Sequence, residues 1–208
     1  MARLVVGISG ASGTILAIKA LRTLCELGHE IELVITPGAL STATVEMGKP
    51  YATPRGFVSE LPETAQKQIT LHANNYVGHS ICSGSYPTDG MLIIPCSMAT
   101  VGAIAHGLGD NGLRRAADVI LKERRPLVLV PRETPLHAVH LENMLKLTQM
   151  GATIVLPVPA WYLKPKTVDE IENYIVGKAL DALKIDHSLY PIFKQKGGVD
   201  ESLSFVAH

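Results

Sequence analysis

Pro126-Leu-Val-Leu-Val-Pro-Arg-Glu-Thr-Pro135 is the stretch that decides the fold class. An apolar, valine-rich run with no polar alternation reads as a strand buried on both faces, the habit of parallel sheets. It stops abruptly at Pro131, and a guanidinium and a carboxylate follow, Arg132 and Glu133. Thr134 reads as a helix cap and Pro135 as a first helical residue. Ligands of open α/β sheets sit just beyond the carboxyl ends of strands. A charge pair at that place suits holding an anion and moving a proton; a salt-bridged surface turn is the plain alternative.

Working outward, residues 4–8 and 31–35 read as further buried strands, and 91–94 as another running into Pro95-Cys-Ser97. Helical periodicity marks 15–27, closed by Gly28, with helices also at 98–106, 113–123 and 136–150. A short helix is expected to end near Glu46. A strand follows at 153–156, and Thr167-Val-Asp-Glu170 fits a capping box that opens a helix to about residue 183. Residues 48–88 read as a long connection with little sheet of its own, apart from a possible short helix at 65–70. Strands alternating with helices predict a doubly wound, parallel α/β sheet in one domain. The domain is expected over 1–185, with 186–208 as a tail packed on a neighbouring subunit.

The 208 residues suffice for one real core. Nineteen basic residues balance nineteen acidic ones, so no global field draws the chain to nucleic acid or an anionic membrane. Cys25, Cys82 and Cys96 form no paired spacing, which argues against disulfides and structural zinc. His137 and His140 lie three apart without a third ligand in register, so no metal is expected. The amino terminus begins a strand at once and no apolar run is long enough to span a bilayer, which points to the cytoplasm.

Several small-residue loops lie at strand ends. Gly7-Ile-Ser-Gly-Ala-Ser-Gly13 has neither the dinucleotide nor the Walker spacing. It suits a mononucleotide phosphate or a ring edge, or is a plain tight turn. Ser97-Met-Ala-Thr100 is a second small, polar helix start. Arg115 and Lys122, seven apart, share one side of their helix and could address one anion, or form a solvated basic face. Lys178 continues the inward stripe of Ile171, Tyr174 and Ile175, where a lysine snorkels, pairs or reaches a phosphate. Tyr162, beside the only tryptophan, could offer a phenol. Cys96 reads as a buried structural thiol rather than a nucleophile.

In order and spacing these blocks resemble the flavin prenyltransferase (UbiX) family. They are Gly10-Ala-Ser-Gly13, Pro95-Cys-Ser97, Arg115-Ala-Ala-Asp-Val119, Leu121-Lys-Glu-Arg-Arg125, Pro131-Arg-Glu133 and His140-Leu-Glu-Asn-Met-Leu-Lys146. Ser83-Gly-Ser-Tyr-Pro-Thr-Asp-Gly-Met91 looks most like the branch associated with phenolic or hydroxyaryl acid decarboxylases. The resemblance implies a flavodoxin-like Rossmann fold, a homododecamer with sites shared between subunits, and metal-independent chemistry. The reaction it implies moves a dimethylallyl group from dimethylallyl monophosphate to N5 and C6 of reduced FMN. The prenylated FMN then serves a partner decarboxylase.

The resemblance further implies that Gly10, Ala11, Ser12, Thr36, Ser97, Met98, Ala99, Thr100 and Arg132 hold FMN. It places the prenyl phosphate against Arg115, Lys122, Tyr162 and Lys178, with Arg115 from a neighbour. Ser12, Glu46, Lys122 and Glu133 are its catalytic set. The family's usual residue at 178 is arginine, and lysine keeps the charge but loses the fork. Two other readings stay open: an FMN-binding accessory subunit of an aromatic acid decarboxylase, and a flavin-dependent decarboxylase of cysteine-type substrates.

Overall fold

The structure is a computed structural model, and it describes residues 1–191. The expected tail at 186–208 therefore lies mostly outside the described residues. The elements run β1 (Arg3–Ile8), α1 (Thr14–Glu26), β2 (Glu30–Ile35), α2 (Pro37–Met47), α3 (Pro54–Val58), α4 (Glu63–Gln66) and β3 (Ile69–His72). They continue with β4 (Gly90–Cys96), α5 (Met98–Ala105), α6 (Gly112–Lys122), β5 (Leu127–Pro131), α7 (Ala138–Gln149), β6 (Thr153–Ile154) and α8 (Val168–Ala182).

The six strands form one sheet in the order β3-β2-β1-β4-β5-β6, and every pair is parallel. That is the dinucleotide-fold order; without the edge strand β3 it reduces to the flavodoxin-like order. The unbroken apolar runs are explained by helices on both faces. Leu92, Ile94, Val128 and Val130 pack with α1 and α8, through Leu21, Leu24, Val176 and Leu180. Met91, Ile93 and Leu129 point the other way, against Val101, Leu113, Ile120 and Leu147 of α5, α6 and α7. Successive strand residues thus feed two cores, and no position on β4 or β5 is left for a polar residue.

Four expectations need correction. Residues 48–88 are not a connection poor in sheet: they hold α3, α4 and β3, which pairs with β2 from Ile31↔Ile69 to Val34↔His72. The helix expected at 65–70 is instead α4, ending at Gln66, after which the chain extends into β3. The helix expected from 136 opens at Ala138 with His137 as its cap position, so Thr134 and Pro135 belong to a loop. The first turn closes on the His137 carbonyl, which accepts from Leu141 N at 3.3 Å and His140 N at 3.0 Å. The capping box at 167–170 forms, but shifted: Thr167 Oγ1 accepts from Glu170 N at 3.2 Å, while Glu170 accepts from Lys166 N at 2.7 Å.

A buried polar cluster fixes the β3 edge. Glu32 on β2 receives the Tyr86 hydroxyl at 2.5 Å and faces His72 Nε2 at 2.5 Å. Burial pushes the Glu32 carboxyl up, but its bonds to His72 and Tyr86 outweigh burial and hold it below its ordinary value. A depressed carboxylate lends stability in full above its unfolded pKa of about 4.3, and that contribution is lost as pH falls through the folded value. Glu32→Gln is therefore expected to cost on the order of 2 kcal/mol at pH 7. It should also flatten the fall of stability below about pH 4.3, read by urea unfolding across pH. An unaltered acid limb would contradict this.

Candidate active site

β1 has β2 on one side and β4 on the other, so the chain leaves the strand tips in opposite directions and opens a crevice between them. The tips are stitched together. Ser9 N donates to the Pro95 carbonyl at 3.1 Å, Thr36 N to Ile8 at 3.0 Å, and Arg132 N to Cys96 at 3.2 Å. Ser97 N donates to Ser9 Oγ at 2.8 Å. Gly10 matters here: a Cβ on it would lie 3.0 Å from the backbone carbon of Gly38. Only glycine lets the β1 loop pass so close to the start of α2.

A cavity of about 570 Å³ opens above these tips. Gly10, Ala11 and Ser12 form one wall, Glu46 and Val45 a second, Ser97, Met98, Arg132 and Glu133 a third. A smaller neighbour of about 330 Å³ is lined by Thr36, Gly38, Ala99, Thr100, Asn111 and Arg114, among others. Thr36 and Ser97 cap α2 and α5 as side-chain acceptors, at 3.2 Å each. Their first-turn N–H groups, Gly38 and Met98–Ala99 among them, have no partner within their helices, an arrangement that receives anionic oxygens. The donor set of hydroxyls, helix-start amides and the Arg132 guanidinium fits a phosphate and the polar edge of a flavin.

Glu46 is not simply solvated. It crosses from α2 to the start of α1 and accepts Gly13 N at 3.0 and 3.2 Å and Thr14 N at 2.8 Å. Gly13, at φ 116°, offers no side-chain cap, so Glu46 supplies the missing one. Burial pushes its carboxyl up; bonds from Ser12, Thr14 and Gly13 outweigh this and keep it depressed. Of the two readings left open for the glycine loop, the anion place at the head of α1 is therefore filled by the chain's own carboxylate. Ser12 and Gly10 are left facing the cavity.

Glu133 lines the cavity with Arg132, and its Oε1 accepts Thr134 N at 3.1 Å. Both residues are exposed, and among the described residues the Arg132 guanidinium has no hydrogen-bond or ion-pair partner. Cys96 is fully buried and its thiol is pushed up to about 12 by burial, which makes it inert as a nucleophile. Among the described residues no group of three His, Cys, Asp or Glu side chains could hold a metal ion. His137 and His140 stack on one another with ring centroids 3.5 Å apart.

The remaining expected site residues are not brought to this cavity within one chain. Lys122 is in the last turn of α6, paired with Glu123, beside the start of β5. Arg132 lies past the other end of β5; α6 alone spans about 15 Å. Arg115 pairs with Asp118 at 2.5 Å. Tyr162 and Lys178 line a third, mostly apolar groove of about 610 Å³. Lys178 is paired, as one of the sequence readings had it, with Asp181 at 2.9 Å. Sequence reasoning missed Asp181, His187 and Tyr190 around Lys178. The i,i+3 spacing of Lys178 and Asp181 was the available signal.

Comparison with known proteins agrees with this architecture. The flavoprotein family model matches residues 1–180. The chain is 51% identical over 189 residues to the flavin prenyltransferase UbiX of Chlamydia trachomatis, covering 91% of this chain and 96% of that one. The crystal structure of AnUbiX (PadA1) in complex with FMN and dimethylallyl pyrophosphate superposes with a TM-score of 0.83 at 39% identity, over 93% of this chain and 97% of that one. A dodecameric FMN-dependent Ubix-like decarboxylase from Escherichia coli O157:H7 gives 0.82 at 40% identity, over 92% and 99%. With this identity, over nearly its whole described length, the chain belongs to the flavin prenyltransferase (UbiX) family of flavoproteins.

Proposed function

We propose that this chain transfers a dimethylallyl group from dimethylallyl monophosphate to reduced FMN. The observation that carries the reading is one cavity, at the parting of β1 and β4, that gathers Ser12, Glu46, Arg132 and Glu133. Reduced FMN, when bound, supplies the nucleophilic nitrogen and ring carbon. The chain supplies the rest. Gly10, Ala11 and Ser12 present a close backbone wall to the ring edge, and Glu46 holds that wall in place. Thr36, the helix start at Ser97–Thr100 and Arg132 receive the FMN phosphate. Glu133 takes up the proton released as the new carbon bond is completed.

Breaking an allylic C–O bond needs positive charge on the departing phosphate. Arg115, Lys122, Tyr162 and Lys178 are the candidates, and they sit in two places away from the cavity. A complete site therefore requires other copies of the chain, with Arg115 and Lys122 of one copy, and Tyr162 and Lys178 of another, meeting the FMN cavity. Exposed apolar side chains support self-association: Leu141 and Leu145, four apart on α7, are 53% and 59% exposed, and Trp161 is 69% exposed. The relative from Escherichia coli O157:H7 is dodecameric, and a closed dodecamer is the assembly proposed here. A decarboxylase is the proposed acceptor of the product, and the cytoplasm the proposed location. Among the described residues no helix is long and apolar enough to cross a membrane.

The test is to mix the protein with reduced FMN and dimethylallyl monophosphate and follow the flavin by mass. A gain of one prenyl unit is expected. FMN binding without any change in its mass would favour the carrier reading instead.

A further inference from the structure

The chain after α8 turns back onto the helix and docks beside Lys178. His187 Nε2 lies 2.9 Å from the Gly177 carbonyl and 3.1 Å from Asp181 Oδ1, with its side chain 5% exposed. Tyr190 donates its hydroxyl proton to Asp181 Oδ2. Lys178 Nζ donates to Asp181 Oδ2 at 2.9 Å and to the Tyr190 hydroxyl oxygen at 3.4 Å. The ring of Tyr190 meets that of Tyr174 edge-on at 5.1 Å, and Tyr174 hydrogen-bonds Tyr162. Both expected phosphate contacts, Lys178 and Tyr162, are thus connected to this short segment.

Gly177 makes the docking possible. A Cβ there would come within 2.6 Å of two Tyr190 ring carbons and 2.8 Å of His187 Cε1. Glycine inside a helix is costly relative to alanine. Here that cost provides the seat for the segment.

A lysine carries its charge on a flexible four-carbon stem and loses rotamer freedom when it grips an anion. An ammonium has only three protons to donate. Asp181 and Tyr190 engage two of them and leave one for a ligand, and Lys178 itself lines the groove with Ile154, Leu156, Val158, Tyr162 and Tyr174. Asp181 in turn shares its charge with the Tyr190 hydroxyl and His187, so it fixes the ammonium without fully neutralising it.

We propose that Tyr190 and Asp181, seated on Gly177, are positioning residues for Lys178, and that they hold its ammonium ready for the phosphate of the prenyl donor. The inference rests on the reading of Lys178 as a phosphate contact.

A double-mutant cycle separates the two. The dissociation constant of dimethylallyl monophosphate is measured by calorimetry on the FMN-loaded assembly, with KM and kcat alongside. Tyr190→Phe is expected to weaken donor binding about fivefold, the size of one ordinary hydrogen bond. FMN affinity should not change and kcat should stay near wild type. Lys178→Met should weaken donor binding by more, and Tyr190→Phe should add nothing in that background. Gly177→Ala should keep the helix, displace the segment and reproduce the Tyr190→Phe loss. Wild-type donor affinity in Tyr190→Phe, with Lys178→Met impaired, overturns the positioning role and leaves the Lys178 contact standing. Normal binding by Lys178→Met overturns both. An equal loss from Tyr190→Phe with and without Lys178 overturns action through the lysine.

Discussion

Glu133→Gln binds FMN as the wild type does and loses about 10²- to 10⁴-fold in prenyl transfer, the range for removing a general acid or base. The substitution is close to isosteric. Among the described residues the Glu133 side chain makes one hydrogen bond, from Thr134 N, and an amide oxygen accepts that equally well. The loop between β5 and α7 is thus expected to keep its shape, and Arg132 its place on the cavity wall. What is lost is the capacity to take a proton. Single-turnover mass analysis of the flavin measures this directly, and a wild-type rate would remove Glu133 from the chemistry.

Glu46→Ala weakens FMN binding by about tenfold to a hundredfold. The change deletes charge-assisted bonds to Gly13 N and Thr14 N, each worth about 1.5–3 kcal/mol. It leaves the head of α1 uncapped, since Gly13 has no side chain to offer. The loop of Gly10, Ala11 and Ser12 then loses its brace from α2, and part of the binding energy goes into ordering it again. Glu46→Gln should fall between the two, because an amide accepts on one atom only. Fluorescence titration of FMN gives the affinities, and a thermal melt separates loosening of the loop from general unfolding. Unchanged affinity in Glu46→Ala would mean that the loop holds its shape unaided.

The framework of this fold was legible because its strands are buried on both faces. Runs such as 4–8 and 127–130 need no partner in view to be recognised, since every residue must be apolar. Two of the expected caps were equally local, Ser97 and Thr167 each reaching an amide three residues on, whereas Thr134 caps no helix. β3 was not legible. Its four residues carry only Ile69 and Leu71 as apolar side chains, and it becomes a strand through pairing with β2, 38 positions earlier in the register Ile31↔Ile69. Glu46 shows the same limit. Its partners lie 32 and 33 residues away, so sequence alone gave a carboxylate at a helix end. Helical spacing left Arg115 and Lys122 as either one anion contact or a solvated basic face. Each is held by its own acidic neighbour, and neither lines the cavity above the β1 and β4 tips of its own chain.

That separation makes the sharing of the site between copies the central claim, and a mixed assembly tests it. Lys122→Met and Glu133→Gln are each expected to be inactive alone. Co-expressed in equal amounts with different tags and purified as mixed oligomers, they should recover about a quarter of wild-type transfer. Random assembly gives that fraction of sites an intact Lys122 from one copy and an intact Glu133 from another. If both residues came from the same chain, every site would keep one defect, and the mixed assembly would stay inactive.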